Sequence, residues 1–336
     1  MATAPTRELK RSARLQISRG MKTVLAGTII LYIASAFFAP TSVSKVAQMG
    51  MLPFAACLAI VGLGQTLVIQ QGGIDLSVAG AISLTVVIVT WGPDRNDDRL
   101  MPAVAAAFAA AIITGLINGF LVTKTKLNSI VATLGVNALL YGVMMGLSGG
   151  SPRRTTDRLS NFANDKTFGL PHSIYFGIIL TIVVTVLLKR TVFGRRFEAV
   201  GANPRAAHAT GLKIIRYQIG AYVAAQILYC AAGVILGGVI SQPTAYQGDD
   251  YVLPSVAVVV LGGTSLLGGR GFPAASALAA LFLKQLDMFV LSLGVPYGVR
   301  TIVISFSLML GIALYAVNWK STNFTLKKRD RKLQPI

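Results

Sequence analysis

A chain of 336 residues that is 54% apolar and only 13% charged is too hydrophobic for an ordinary soluble domain and reads as a polytopic membrane protein. Its formal charge of +19 would suggest a nucleic-acid partner in a soluble chain, but the basic residues fall between apolar runs, which excludes that reading. Cys57, Cys230, His172 and His208 are far apart in sequence, so the sequence offers neither a disulfide framework nor a metal centre.

Residues 1–22 are polar and basic, with Arg7, Lys10, Arg11, Arg14, Arg19 and Lys22. They read as a retained cytoplasmic segment, because the lead is long for a signal peptide and no small-residue cleavage pattern follows. Ten apolar runs come next, at 23–39, 46–69, 74–91, 101–122, 127–147, 174–188, 214–240, 252–267, 272–293 and 299–319. Most are near the ~20 residues that a helix needs to cross the hydrocarbon core. The expectation is therefore an all-α membrane domain over 23–319 with about ten transmembrane helices, closed by a basic cytoplasmic tail at 320–336. Gly62/Gly64, Gly115/Gly119 and Gly142/Gly146 place small residues where helices can approach closely.

Lysine and arginine set the orientation. With both termini inside, the inner loops hold Lys124, Lys126, the 189–213 segment, Arg270 and the tail, as the positive-inside rule requires. The basic 151–166 loop, with Arg153, Arg154, Arg158 and Lys166, falls outside and departs from that rule.

The stretch 65–83, QTLVIQQGGIDLSVAGAIS, interrupts the second and third runs with glutamines, glycines and an aspartate. At a helix centre an aspartate costs about 2.5–3.5 kcal/mol on insertion scales. Asp75 reads either as a cap on the third helix, accepting backbone N–H groups at a positive helix end, or as a residue lining a path or gate.

Two other segments are not simple spans. Within 189–213, Asn203 before Pro204 gives an N-cap with proline at the first helical position, and Gly211 closes a short helix. That helix would lie across the cytoplasmic face as a docking element; the alternative is a solvated basic loop. Within 253–271, the pairs Gly262/Gly263 and Gly268/Gly269 break an apolar run. Gly269, Gly271 and Ala274 have dinucleotide-fingerprint spacing, but Pro273 and the membrane flanks exclude a nucleotide site. A broken or re-entrant helix accounts for the glycines.

The chain contains no G-x-x-x-x-G-K-[ST], no H-E-x-x-H and no G-x-S-x-G, so it is not read as an enzyme, and any ATP is used by a separate subunit. Lys284 and Asp287 stand at i, i+3 in the ninth run, where they can pair on one face. The uncharged amides Gln48, Gln65, Gln70, Gln71, Asn118, Asn128, Asn137, Gln226 and Gln285 suit a path for a neutral polar solute, or serve as interhelical glue worth about 0.6 kcal/mol each.

Three long motifs, GQTLVIQQGGIDLSVAGAISL, AVGANPRAAHATGLKI and GDDYVLPSVAVVVLGGTSLLGGRG, resemble the membrane permease of bacterial ribose-type sugar ABC importers, in order and over essentially the whole chain after the basic start. The related branched-chain amino acid permeases share the architecture but usually lack a GGIDLS segment. The resemblance implies a channel-forming subunit of the bacterial inner membrane that pairs with a second permease copy, binds a cytoplasmic ATPase and receives sugar from a periplasmic binding protein. It implies that Glu198, Gly201, Asn203, Arg205, Ala206, Ala207 and Gly211 belong to the ATPase-coupling loop. His208, Ala209 and Thr210 depart from the short polar stretch usual there. Gln65, Gln70, Gln71, Gly72, Gly73, Asp75, Ser77, Asn137, Gly262 and Gly263 are the path or gate candidates. A branched-chain amino acid permease and an ion-coupled carrier remain the alternatives.

Overall fold

The computed structural model describes residues 19–309 apart from 152, 297, 304, 307 and 308. The expected segments 1–22 and 320–336 lie wholly or mostly outside these residues. In chain order the helices are α1 (Arg19–Phe38), α2 (Lys45–Gln70), α3 (Val78–Trp91), α4 (Leu100–Thr123), α5 (Ser129–Ser148) and α6 (Asp157–Asn164). They continue with α7 (His172–Arg190), α8 (Val192–Ala202), α9 (Pro204–Ala209), α10 (Ile214–Val239), α11 (Val252–Leu261) and α12 (Pro273–Ser292).

Seven of these, α1, α2, α4, α5, α7, α10 and α12, are long and apolar enough to cross a membrane. The expected count of about ten is not reached among the described residues. The third candidate span holds the 14-residue α3 and the eighth the 10-residue α11, too short at 1.5 Å per residue to cross a core about 30 Å thick. The tenth candidate lies largely outside the described residues.

Helices α2 and α10 form the centre, and their inner turns are buried on every side, including Cys57, Leu58, Ile60, Tyr229 and Cys230. A helix that is apolar all round belongs in such a position. By contrast α1, α4, α5 and α7 leave large apolar side chains exposed, among them Ile30, Ile113, Leu139 and Ile182, as a lipid-facing rim would. Glycines set the close contacts. A Cβ on Gly115 or Gly119 would meet the α10 backbone at Val223 and Ile219, at 2.5 and 2.9 Å, and one on Gly62 would meet Val258 at 2.8 Å. Among the described residues no atom lies within 4 Å of that position at Gly142 or Gly146, so the close approach expected there is not made by them.

The helices of the bundle share two ends. At the Gln70 end lie the start of α5, α10 and α12 and all of α8 and α9. At the Trp91 end lie α6 and the ends of α5, α10 and α12. Lys124, Lys126, Arg190, Arg195, Arg196, Arg205, Lys213, Arg216 and Arg270 all belong to the Gln70 end, where Glu198 is the one acid among the described residues. The basic 151–166 loop at the other end is partly neutralised: Arg153 pairs with Asp94 and stacks on Trp91, and the Arg158 N–H donates to Asp97. This offsets the departure from the charge rule that the sequence alone presents.

The expected Lys284–Asp287 couple is replaced by other partners. Asp287 pairs with Arg300 at 2.5 Å, while the Lys284 ammonium lies 5.5 Å from the Tyr251 ring centre. A neighbouring element supplies a bidentate-capable guanidinium, which outcompetes an i, i+3 ammonium for the carboxylate.

Candidate functional site

Between α2 and α3 the chain turns back into the bundle outside any helix over residues 71–77. Backbone groups left open at membrane depth must find partners within the protein. Helix α5 supplies them through Ser129, Thr133 and Asn137, spaced at i, i+4 and i+8 on one face. The Ile74 N–H donates to Ser129 Oγ at 3.2 Å, Leu76 N–H to Thr133 Oγ1 at 2.9 Å and Gly80 N–H to Asn137 Oδ1 at 2.7 Å. Asn137, a path candidate from sequence, thus holds the first turn of α3.

This ladder yields a direct prediction. Thr133→Val keeps the shape but removes the acceptor for Leu76, so stability should fall by about 1–3 kcal/mol, the cost of a buried donor left unpaired. An unchanged melting temperature in detergent would show that the N–H finds another acceptor.

Asp75 is fully buried. Its Oδ1 accepts the Ser77 N–H at 2.9 Å and the Ser77 hydroxyl at 2.6 Å, and its Oδ2 accepts Gln226 Nε2 of α10 at 3.0 Å. Asn118 of α4 and Gln226 each donate to Ser77 Oγ at 2.8 Å. Three elements, the 71–77 segment, α4 and α10, therefore meet around this carboxylate through neutral donors. The cap reading is met in part: Asp75 takes the N–H of Ser77, the residue that precedes α3, while the deeper N–H of Gly80 goes to α5. Gln65 lies nearby, fully buried, accepting the Tyr229 hydroxyl at 2.7 Å.

A second joint forms at the end of α2. The Gly269 N–H donates to the Gln70 carbonyl at 2.8 Å, and Gln70 Nε2 returns a bond to the Gly269 carbonyl at 2.9 Å. Gln71 Nε2 donates to the Phe197 carbonyl of α8 at 2.9 Å. Gly201 is buried in the middle, where a Cβ would overlap the Gln70 carbonyl and stand 3.0 Å from Gly269 N. Gly268 and Gly269 take φ of +87° and +84°, which only glycine adopts freely. The paired glycines of the late motif thus let three backbones touch. Gly262 packs on Ser276 of α12, and Gly263 turns with φ of +87°. Gly72, at φ +82°, and Gly73, against the Tyr222 hydroxyl, line an open cleft of about 430 Å³ with Gln71, Lys126 and Ser129.

The 189–213 segment holds two helices where one was expected, since α8 precedes α9. The expected start of α9 is present: Asn203 Oδ1 accepts the Ala206 N–H at 3.0 Å, Pro204 opens the helix and Gly211 follows at φ +82°. Of the coupling candidates, Asn203, Arg205, Ala206 and Gly211 are exposed, whereas Gly201 and Ala207 are buried beneath them. Glu198 pairs with Lys189 at 3.7 Å, and that ammonium also lies 4.8 Å from the Phe272 ring centre. An outward patch thus sits on an inner layer bonded to α2 and the glycine loop. Among the described residues no group of three or more His, Cys, Asp or Glu could hold a metal.

Sequence reasoning missed the α5 ladder and the role of Gln226 and Asn118 around Asp75. The ladder had a signal, polar residues every four along an apolar helix; the Asp75 partners had none, because they come from distant elements.

The family model described as "Branched-chain amino acid transport system / permease component" matches residues 48–318. The ribose import permease protein of Bacillus subtilis is 31% identical over 293 residues, covering 86% of this chain and 90% of that protein. The ribose import permease protein of Escherichia coli K12 is 34% identical, covering 76% and 80%. The autoinducer 2 import system permease protein LsrD of Escherichia coli O9:H4 is 30% identical, covering 85% and 89%. No solved structure matches the chain.

Proposed function

The chain belongs to the permease-component family of the branched-chain amino acid transport systems, and from that premise we propose that it is the membrane permease of an ABC importer that translocates a sugar. The observation that carries the sugar is the similarity to the ribose import permease protein of Bacillus subtilis, which spans 86% of the chain. Like those relatives it supplies a path rather than a reaction. Its partners would be a separate cytoplasmic ATPase, a periplasmic sugar-binding protein and a second permease copy, identical or related. The basic Gln70 end would face the cytoplasm of a bacterial inner membrane, with both termini inside.

In this reading α9 is the surface the ATPase pushes. The displacement passes from α9 to α8, through Gly201 into the Gln70–Gly269 joint, and so to the non-helical residues 71–77 beneath the buried Asp75 network. Rigid packing of backbone on backbone transmits such a shift with little loss.

Reconstituting the chain with its ATPase and binding protein in vesicles should give uptake of radiolabelled D-ribose that requires ATP and the binding protein. Because the family description names branched-chain amino acids, radiolabelled leucine is the second substrate to offer; uptake of leucine alone would replace the sugar assignment. Uptake by this chain alone under an ion gradient would replace the importer with a carrier.

A further inference from the structure

The two helices too short to cross a membrane begin at the same depth. Helix α3 starts beside Gln226, halfway along α10, through the Asp75 and Ser77 bonds. Helix α11 starts beside Lys284, near the middle of α12, where that ammonium lies over the Tyr251 ring. The two starts also touch: the Gly248 N–H donates to Ser83 Oγ of α3 at 2.9 Å, and a Cβ on Gly248 would overlap the Ala79 carbonyl. Residues 240–251 therefore return from the Trp91 end to the middle of the bundle before α11 runs on to the Gln70 end.

Where that returning segment reaches α3 and α5, Tyr246, at 47%, Asp249 and Asp250 are exposed. Neither carboxylate forms an ion pair among the described residues. Tyr141 of α5 donates to Asp249 and packs edge-to-face on Tyr246, with ring centres 5.2 Å apart. Carboxylates without an ion-pair partner do not face hydrocarbon at this depth; they face a water-filled cavity or protein. Two tyrosine rings beside them supply flat apolar surface with polar tips, a second feature independent of the charge.

We propose that Tyr141, Tyr246, Asp249 and Asp250 form the solute-contacting station of the translocation path, selective for a neutral polyhydroxylated solute. The carboxylates accept hydrogen bonds from adjacent hydroxyls, and the exposed Tyr246 ring packs on a C–H face of the sugar. The same two negative charges repel sugar phosphates and other anions. Broken helices whose ends meet at mid-depth are where membrane transporters place such contacts. The assignment of the solute rests on the sugar-importer reading; the position of the station does not.

Two measurements on the full importer in vesicles test this. In the first, Tyr246→Cys and Asp250→Cys are exposed to a membrane-impermeant cationic thiosulfonate and, separately, to a lipophilic maleimide. Both native cysteines are buried, so the introduced thiols give the signal. Reaction with the impermeant reagent is the expected result. Reaction with the lipophilic reagent alone places the patch against lipid, and reaction with neither places it in a contact with the second permease; either result overturns the station. In the second, uptake of radiolabelled D-ribose should fall at least tenfold in Tyr246→Ala and Asp249→Asn and stay near wild type in Tyr246→Phe, while the complex still hydrolyses ATP. Unchanged ribose uptake in the first two would overturn the solute contacts. A wild-type complex that imports no ribose counts against the sugar reading, and the thiol reactivity still decides whether this patch lines a hydrated path.

Discussion

A Gly201→Leu chain is expected to insert into the membrane, bind its ATPase and import nothing, with uptake at least a hundredfold below wild type. The added Cβ falls on the Gln70 carbonyl and within 3.0 Å of Gly269 N, and those two backbone groups are already bonded to each other at 2.8 Å. Neither can step aside without opening the joint between α2, α8 and the glycine loop. Overpacking of this kind commonly costs about 1–3 kcal/mol, which a bundle of this size tolerates, but the displaced joint is the one that would carry motion inward from α9. The exposed residues Asn203, Arg205 and Ala206 are untouched, so ATPase binding should survive. Gly211→Leu separates docking from packing: among the described residues nothing lies within 4 Å of its Cβ position. Beyond the roughly 1–2 kcal/mol its positive φ adds, the leucine adds bulk to the exposed face of the coupling loop and should weaken ATPase co-purification while leaving the Gln70–Gly269 joint intact. Uptake and ATPase co-purification measured on both variants check the difference. Wild-type uptake by Gly201→Leu would remove this joint from the coupling route.

Asp75 separates charge from hydrogen bonding. In Asp75→Leu the Ser77 N–H, the Ser77 hydroxyl and Gln226 Nε2 all lose their acceptor. At about 1–3 kcal/mol for each buried donor left open, the loss is several kcal/mol, enough to unfold or mis-set a chain whose total stability is of the order of 5–15 kcal/mol. Asp75→Asn keeps an acceptor for Ser77, and Gln226 can turn its amide to offer Oε1, which has no partner in the wild type. The asparagine chain should therefore melt near the wild-type temperature in detergent and keep uptake within a few fold, because the carboxylate is fully buried and a solute does not reach it. Loss of uptake in Asp75→Asn with unchanged melting would show instead that the charge itself gates the path.

Local chemistry was legible and long-range partnership was not. The Asn203 cap, Pro204 and Gly211 were readable because a cap, a proline and a positive-φ glycine act within a few residues of themselves. Lys284 and Asp287 misled for the same reason: their spacing advertises a local pair, but Arg300 took the carboxylate from outside the helix. Gly142 and Gly146 have the same small-residue spacing as Gly115 and Gly119, yet α10 lies against the latter pair and, among the described residues, nothing lies within 4 Å of a Cβ on the former. Spacing marks a face that permits close approach, and does not say what approaches.

Hydropathy and the placement of lysine and arginine determined by themselves that this is a multi-pass, mostly helical membrane protein, since transfer into lipid is decided residue by residue; the two-residue strands Lys166–Thr167 and Leu170–Pro171 are the departure from the all-α expectation. The glycine-rich motifs were enough to mark the breaks and the family. Only the tertiary structure decided that two apolar runs are half-helices starting at mid-depth, that Asp75 is held by α4 and α10, and that Tyr141, Tyr246, Asp249 and Asp250 share one exposed patch. Those facts depend on which backbone groups, opened by a break, find partners on distant helices, and burial of the whole bundle settles that at once.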